Sequence, residues 1–157
     1  MAAASSEEDR FARVLSNRGW NVYRGSVLMD KAGVDLFAIN GETVITIDVK
    51  SDGRIGSTGN VALECYTSYD SGRADRPGWA TKASADKWVI LYRNENRAVS
   101  IDVESIHPKG NSRIAELSQQ FQMRPCGNDA GKQTHNLLIP VSELASAGID
   151  HKVMEWK

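Results

Sequence analysis

The chain has 157 residues, the size of one ordinary domain, and its 41% hydrophobic and 25% charged residues are typical of a soluble globular protein. A formal net charge of −1 argues against a protein coated with basic residues, so any nucleic-acid surface would have to be local. Two cysteines and three scattered histidines exclude a disulfide framework and make a zinc cage improbable. The apolar runs are too short to cross a membrane, and the acidic N-terminus without a secretory segment predicts a cytoplasmic protein.

An amphipathic helix is predicted at the N-terminus. Ser5 and Glu8 have the S-x-x-E spacing of a capping box, which favours a helix starting there. The helix is expected to end near Gly19, because apolar residues at helical spacing stop before it. These residues are Phe11, Val14 and Leu15.

A β-hairpin is predicted next, from strands at residues 34–39 and 42–49. Asn40-Gly41 between them is the strongest short hairpin signal. With these two residues as the turn, Ile39 lies opposite Glu42. Asp35 then lies opposite Thr46.

The rest of the chain predicts a block of strands followed by helices. A first strand can begin at 20–23, and helices are predicted at 113–121 and from about 142. Residues 51–60 and 71–78 are predicted loops, and a polar loop is expected after 121. The further strands are predicted at 61–66, 88–92, 98–103 and 136–139. This order predicts one domain over residues 1–157, of α/β (α+β) class, with a central mixed sheet flanked by helices.

Three charged residues share one face of the predicted hairpin. Because side chains alternate along a strand, Thr46, Asp48 and Lys50 point the same way. Asp35 would be a diagonal neighbour of Asp48, about 7–8 Å away at the backbone, so both carboxylates could converge on one ion. Mg²⁺ fits such a site, because it takes one or two carboxylates together with waters and phosphate oxygens. The alternative is a solvated sheet face on which Asp48 and Lys50 are ordinary surface residues.

The order and spacing of these residues resemble the PD-(D/E)xK nuclease superfamily, most of all archaeal Holliday-junction resolvases and related phage nucleases. The resemblance covers the first third of the chain. It is carried by Glu8 in EEDRFARVLSNRGWNVYRG, Asp35 in GVDLFAI, and Asp48 with Lys50 in ITIDVKS. Val34 replaces the eponymous proline, and Asp48 replaces the commoner glutamate.

The resemblance implies a restriction-endonuclease-like fold and a role for each matching residue. Asp35 and Asp48 would bind Mg²⁺ or Mn²⁺, with the backbone carbonyl of Val49, and Lys50 would be the catalytic lysine. Glu8 on the first helix would support the metal site. The alternative for Glu8 is an acid that favours the positive end of the helix dipole.

A second segment, VALECYTSYDSGRADRPGWATKASADKWVILY, resembles a stretch of phage-encoded nuclease-like proteins. Glu64 is either a further metal or water ligand or an ion-pair partner of an arginine. Trp79 is either a packing residue or a base-stacking one. Basic residues in the flanking loops are expected to contact phosphates. They are Arg54, Arg73, Arg76 and Lys82.

These observations predict a Mg²⁺-dependent deoxyribonuclease that cuts branched or duplex DNA. It would be structure-selective, as a junction resolvase is, or weakly sequence-specific, and a homodimer is expected if junctions are cut. It would act in the cytoplasm, the host's if the gene is carried by a phage. The first alternative is a nucleic-acid-binding protein with a nuclease fold and no catalysis. The second is a protein that does not bind nucleic acid, whose acids lie on the surface.

Overall fold

A computed structural model describes residues 2–156, with side chains described for residues 7–127 and 130–156. The helices of this part of the chain are α1 (Ala2–Asn17), α2 (Val27–Lys31), α3 (Ile55–Thr58) and α4 (Ile114–Gln120). Its strands are β1 (Asn21–Arg24), β2 (Leu36–Asn40), β3 (Thr43–Asp52), β4 (Asn60–Tyr69), β5 (Arg76–Pro77), β6 (Lys87–Tyr92), β7 (Arg97–Asp102), β8 (Gln122–Asp129), β9 (Lys132–Pro140) and β10 (His151–Glu155). Within residues 2–156, no helix is long and apolar enough to cross a membrane.

The strands form two sheets. The central sheet has the order β1-β2-β3-β6-β7-β10 and is mixed, because β3 and β6 pair in parallel and its other pairs are antiparallel. This confirms the predicted class of a mixed central sheet with helices. The second sheet, β5-β4-β9-β8, is antiparallel throughout and was not predicted.

Helix α1 covers one face of the central sheet. Its predicted stripe is buried, with Phe11 only 1% exposed, and it packs on Leu36, Ile47 and Val89. The predicted start of the helix is wrong: α1 begins at Ala2, so Ser5 lies inside the helix rather than at its N-cap. The side chain of Ser5 lies outside the described part of the chain.

The other face of the central sheet packs on the second sheet. Strand β6 has Val89 and Leu91 toward α1, whereas Trp88 and Ile90 point into the second core, because side chains alternate along a strand. The second sheet contributes residues to this core that are fully buried, including Leu63 of β4. The continuous apolar sequence of β6 is therefore explained by the burial of both its faces.

The β2–β3 hairpin has a different turn from the predicted one. Asn40 pairs with Thr43, so the two turn residues are Gly41 and Glu42 rather than Asn40 and Gly41. Gly41 has φ +61°, which suits the first central position of a hairpin turn, where glycine meets no steric penalty. The pairing shifts by two residues, and Leu36 lies opposite Ile47.

The polar loop predicted after residue 121 is wrong, because strands β8 and β9 occupy this region. Pro125 and Gly127 hide β8 in the sequence, and its pairing with β9 is interrupted by a bulge between Cys126 and Asn128. The short helix α2 and strand β10 were also not predicted. Both are too brief to show a clear period.

We expect substitutions in the two cores to lower the stability of one cooperative unit. Phe11→Ala removes a side chain that packs under α1, and Leu63→Ala removes one between the two sheets. Each should lower the free energy of unfolding by about 2–5 kcal/mol, since each leaves a cavity. Urea denaturation followed by fluorescence and circular dichroism measures this. Leu28→Ala, at a side chain 78% exposed, is the control and should change little. Two separate transitions would contradict a single domain.

Candidate functional site

Asp35 and Asp48 face each other across the start of the β2–β3 ladder. The Asp35 N–H donates to the Ile47 carbonyl at 2.9 Å, one step beyond the Leu36–Ile47 pair. Regular pairing ends at Leu36–Ile47, and its register continued by one residue sets Asp35 against Asp48 rather than against Thr46. The predicted shared face is retained, because a shift of two residues returns a strand to the same face. Both carboxylates are buried, at 8% and 3% exposure.

Beyond the end of β2, the Asp35 carboxylate accepts a backbone hydrogen bond of β3 that a paired strand would otherwise accept. Because β2 begins at Leu36, Val49 lies past the end of their pairing, and its N–H on that side needs another acceptor. Asp35 Oδ2 accepts this hydrogen bond at 2.7 Å. The backbone of Val49 thus lies at the site, while its side chain packs under α1.

Burial raises the pKa of Asp35 from 3.8 to about 8. The carboxyl groups of Asp30 and Asp48 add to this rise, and the hydrogen bond from Val49 opposes it. A carboxylate in this position needs a proton or a cation to offset its charge, because its neighbours on two sides are acids.

Lys50 is the cation beside this pair. Its ammonium lies 2.8 Å from Asp48 Oδ1 and 5.5 Å from the centre of the Trp79 ring. The ammonium meets Oδ1 as an ion pair outside hydrogen-bond geometry, so this buried oxygen has no hydrogen-bond partner in the described part of the chain. The Lys50 ammonium is therefore the charge partner of Asp48 Oδ1.

A cavity of about 110 Å³ lies beside Asp48 and Lys50. Its other lining residues include two lysines and a further acid: Asp30, Lys31, Lys82. Among the described residues, no three His, Cys, Asp or Glu side chains cluster closely enough to hold a metal together. Asp48 lines this cavity and Asp35 does not; a cation shared by these two carboxylates would complete its shell with water or phosphate. That set is usual for Mg²⁺ and unusual for Zn²⁺.

Glu8 is not joined to this group by any contact in the described residues. Its carboxylate pairs with the Arg24 guanidinium at 2.9 Å, and Asp9 pairs with the same arginine. Arg24 lies opposite Leu36, so its side chain shares the α1 face of the sheet, whereas Asp48 lies on the opposite face. Glu8 therefore forms its ion pair on the face of the central sheet that α1 covers.

A larger open groove, with a volume of about 860 Å³, adjoins the small cavity. Lys50 and Trp79 line both spaces. Glu64 lines the groove, and no ion pair joins it to an arginine within the described side chains. Trp79 contacts the core by an edge-on ring contact with Trp88 at 5.1 Å, which accounts for its packing role.

The four predicted phosphate contacts divide into two pairs. Arg54 lines the groove and Lys82 lines the small cavity, so both lie beside Lys50. Arg73 and Arg76 line neither space. Arg73 lies over the Tyr69 ring at 4.8 Å, at the far end of β4, and Arg76 belongs to the short edge strand β5.

Three residues near the site were missed in the sequence: Asp30, Arg93 and Arg124. Asp30 had a signal, since the hydroxyl of Ser26 caps α2 by accepting from the Met29 N–H at 3.3 Å. Arg93, which directly follows β6, and Arg124 of β8 line the groove. No local pattern marks them, because pairing between distant segments brings them together.

The sequence matches no protein-family model and no curated protein. One solved structure that this chain resembles in part is that of a bacterial homing endonuclease, I-Ssp6803I, with a TM-score of 0.49 and 17% sequence identity. The similarity covers 64% of this chain and 66% of that chain, slightly less than two thirds of the enzyme's length.

The raised pKa of Asp35 predicts that stability falls with rising pH in the absence of divalent cations. The unfolded chain titrates near 3.8 and the folded chain near 8, so the folded state binds the extra proton between these values. The free energy of unfolding should therefore fall as the pH rises from about 4 to about 8. Urea denaturation in EDTA across this range measures the slope.

Asp35→Asn should flatten this slope and make the protein more stable than the wild type at pH 8. The amide oxygen of asparagine still accepts from Val49, and the side chain carries no charge. Asp75→Asn, in an exposed loop, is the matched control and should keep the wild-type slope. An unchanged slope in Asp35→Asn would contradict the assignment.

Proposed function

We propose that the protein is a metal-dependent DNA endonuclease of the PD-(D/E)xK type, with a restriction-endonuclease-like fold. The observation that carries this proposal is the buried pair of carboxylates, Asp35 and Asp48, with the Lys50 ammonium 2.8 Å from Asp48. Buried acids without a sufficient set of hydrogen bonds are costly to a fold, and they concentrate at functional sites.

The residues present fit a Mg²⁺ or Mn²⁺ ion. Asp48 has a buried oxygen with no hydrogen-bond partner among the described residues, and Asp35 has a carboxyl group that resists ionisation unless a cation is near. When bound, the ion would neutralise the two carboxylates and polarise the scissile phosphate. We propose the backbone carbonyl of Val49 as a further ligand of the ion, beside the carboxylates of Asp35 and Asp48.

Lys50 has two tasks in this proposal. Its ammonium holds the attacking water, and it offsets the negative charge that grows on the phosphate oxygens as water bonds to phosphorus and the ester bond breaks. Trp79 limits where this ammonium can move, because the ring lies 5.5 Å away. Glu64 is proposed as an outer acid that faces the site from the groove, and Glu8 as an acid that supports the site only indirectly, because its pairing with Arg24 lies on the α1 face of the sheet.

The proposed substrate is branched or duplex DNA. Arg54 and Lys82 flank the site on two sides and would bind the phosphates next to the cleaved one. These contacts favour recognition of structure or weak sequence preference over base-specific recognition. If the substrate is a symmetric junction, two copies of the chain would act on the two strands.

Cleavage should require the divalent ion and Lys50. We expect purified protein to nick plasmid or branched DNA in Mg²⁺ or Mn²⁺ and to be inactive in EDTA. Lys50→Ala should lower the cleavage rate at least about a hundredfold, since it removes a charge placed for the transition state. Lys152→Ala, on the exposed edge of β10, is the matched control and should retain full activity.

Two outcomes would contradict the proposal. Wild-type protein that binds DNA but cuts none in either metal would be a nucleic-acid-binding protein with a nuclease fold. Equal activity in wild type and Lys50→Ala would show that a different centre, or a contaminant, does the cutting.

The divalent ion should stabilise the folded protein at pH 8 even without DNA. A ligand that binds only the folded state raises the melting temperature by mass action, here by removing the repulsion between Asp35 and Asp48. Wild type should melt at a higher temperature in Mn²⁺ than in EDTA, and Asp48→Asn should lose most of this shift. An equal shift in Asp48→Asn would place the ion elsewhere.

Arg54 and Lys82 should contribute to DNA binding more than Arg73 and Arg76 do. We expect Arg54→Ala and Lys82→Ala each to weaken binding and to reduce the slope of log K against log salt by about one. Arg73→Ala and Arg76→Ala should leave the slope unchanged, because these residues line neither space beside Lys50. Fluorescence anisotropy in Ca²⁺ or EDTA at several salt concentrations measures this.

A further inference from the structure

The 860 Å³ groove lies on the face of the second sheet that points away from the core. Side chains alternate along β4, so Glu64 points into the groove, whereas Leu63 and Cys65 stay in the core. The groove has its own polar lining, and it meets the candidate site at Lys50 and Trp79.

A row of three polar residues crosses the floor of the groove. Arg124 of β8 lies opposite Asn136 of β9, which in turn lies opposite Glu64 of β4. Asn136 separates the two charged side chains. Its Oδ1 is buried and has no hydrogen-bond partner within the described residues. An acceptor in that condition is costly to the fold unless a ligand supplies a donor.

The charge of the groove is positive, although the whole chain has a formal net charge of −1. It is lined by four cations and two acids: Lys50, Arg54, Arg93, Arg124, Asp52 and Glu64. Asp52 is already engaged, because its Oδ1 accepts from the Arg54 N–H at 2.7 Å and from the Ile55 N–H at 3.2 Å. An anionic ligand is therefore favoured over a cationic one.

We propose that this groove binds unpaired nucleotides of the DNA strand that continues from the cleavage site. The groove volume of about 860 Å³ lies within the roughly 300–1,000 Å³ of clefts that enclose small molecules, so it has room for a few nucleotides and not for a turn of base-paired duplex. Arg54, Arg93 and Arg124 bind the phosphates, and the partly exposed side chain of Asn136 contacts a base. Trp79 offers the exposed part of its ring for stacking.

The inference rests on the proposed nuclease function and narrows its substrate class. DNA with a single-stranded tail or gap next to a duplex would place its unpaired segment in the groove and its scissile phosphate beside Lys50. A blunt duplex would leave the groove empty. The protein would then be selective for junctions between double-stranded and single-stranded DNA.

Cys126 provides a direct probe of this groove. It lines the groove and is partly exposed, whereas Cys65 is buried in the core. In EDTA, where no cleavage occurs, a short single-stranded oligonucleotide should slow alkylation of Cys126 by iodoacetamide several-fold in a saturable way. A blunt hairpin duplex at the same phosphate concentration should leave the rate nearly unchanged.

Two variants separate binding from folding. Arg124→Ala should weaken single-strand binding by about tenfold, the effect of one phosphate contact, and Asn136→Leu should weaken it while keeping or raising the melting temperature. Arg13→Ala is the matched control, because this exposed arginine lies on α1, across the central sheet from the groove. It should bind single strands as the wild type does.

Equal protection of Cys126 by hairpin and single strand would overturn the proposal, and so would no protection at concentrations that saturate DNA binding. Equal single-strand affinity in Arg13→Ala and Arg124→Ala would also overturn it. These outcomes are distinct from a failure of the proposed nuclease function. That failure would appear as absent cleavage of every DNA in Mg²⁺ and Mn²⁺, with the protection of Cys126 unaffected.

Discussion

The structure depends on a pair of carboxylates buried face to face, Asp35 and Asp48. Two acids in this position repel, and the chain is arranged around them. Strand β2 begins only after Asp35, which leaves the Val49 N–H for the Asp35 carboxylate to bind. Lys50 follows on the same face and offsets Asp48. The Val49 N–H and the Lys50 ammonium thus offset part of the negative charge of the two carboxylates. Among the described residues, one oxygen of Asp48 has no hydrogen bond.

The length of β3 links this pair to the rest of the fold. The strand continues past the end of β2 and pairs in parallel with β6, whose side chains enter both cores. The side of β3 that carries Asp48 and Lys50 consequently faces the second sheet. Residues far apart in the chain, such as Lys82 and Arg124, then line the two spaces that meet at Lys50. The site is a product of the packing of two sheets.

The sequence predicted the parts of this arrangement that have a local period. Phe11, Val14 and Leu15 mark α1 at helical spacing, and alternation marks the hairpin. The predicted turn at Asn40-Gly41 was displaced by one residue, yet Asp35 and Asp48 still share a face. The reason is physical: moving a two-residue turn by one position shifts the pairing by two, and a strand repeats its facing every two residues.

The missed parts depend on pairing between distant segments. Strand β8 contains a proline and a bulge, so its alternation is broken, and only its partner β9 shows that it is a strand. The position of Arg124 beside Asn136 could not be predicted from the sequence, because it depends on that pairing. The expected position of Glu8 was set by its distance along the chain to Gly19. Its actual partner, Arg24, was fixed by the packing of α1 against β1.

The buried polar atoms without hydrogen bonds show where the fold has not been optimised for stability. In the described residues they are two arginine nitrogens, Arg10 Nε and Arg97 Nε, and two acceptors, Asp48 Oδ1 and Asn136 Oδ1. Each arginine has an ion pair through its guanidinium, with Glu7 or Glu155.

The two acceptors border the two spaces that meet at Lys50 and Trp79. An acceptor can be satisfied by a cation or by a donor, and the two sites differ in which one fits. Asp48 has acids on one side and the Lys50 ammonium on the other, whereas Asn136 lies between Arg124 and Glu64. The substrate we propose, a nucleic acid strand with a divalent ion at the phosphate to be cleaved, would supply both.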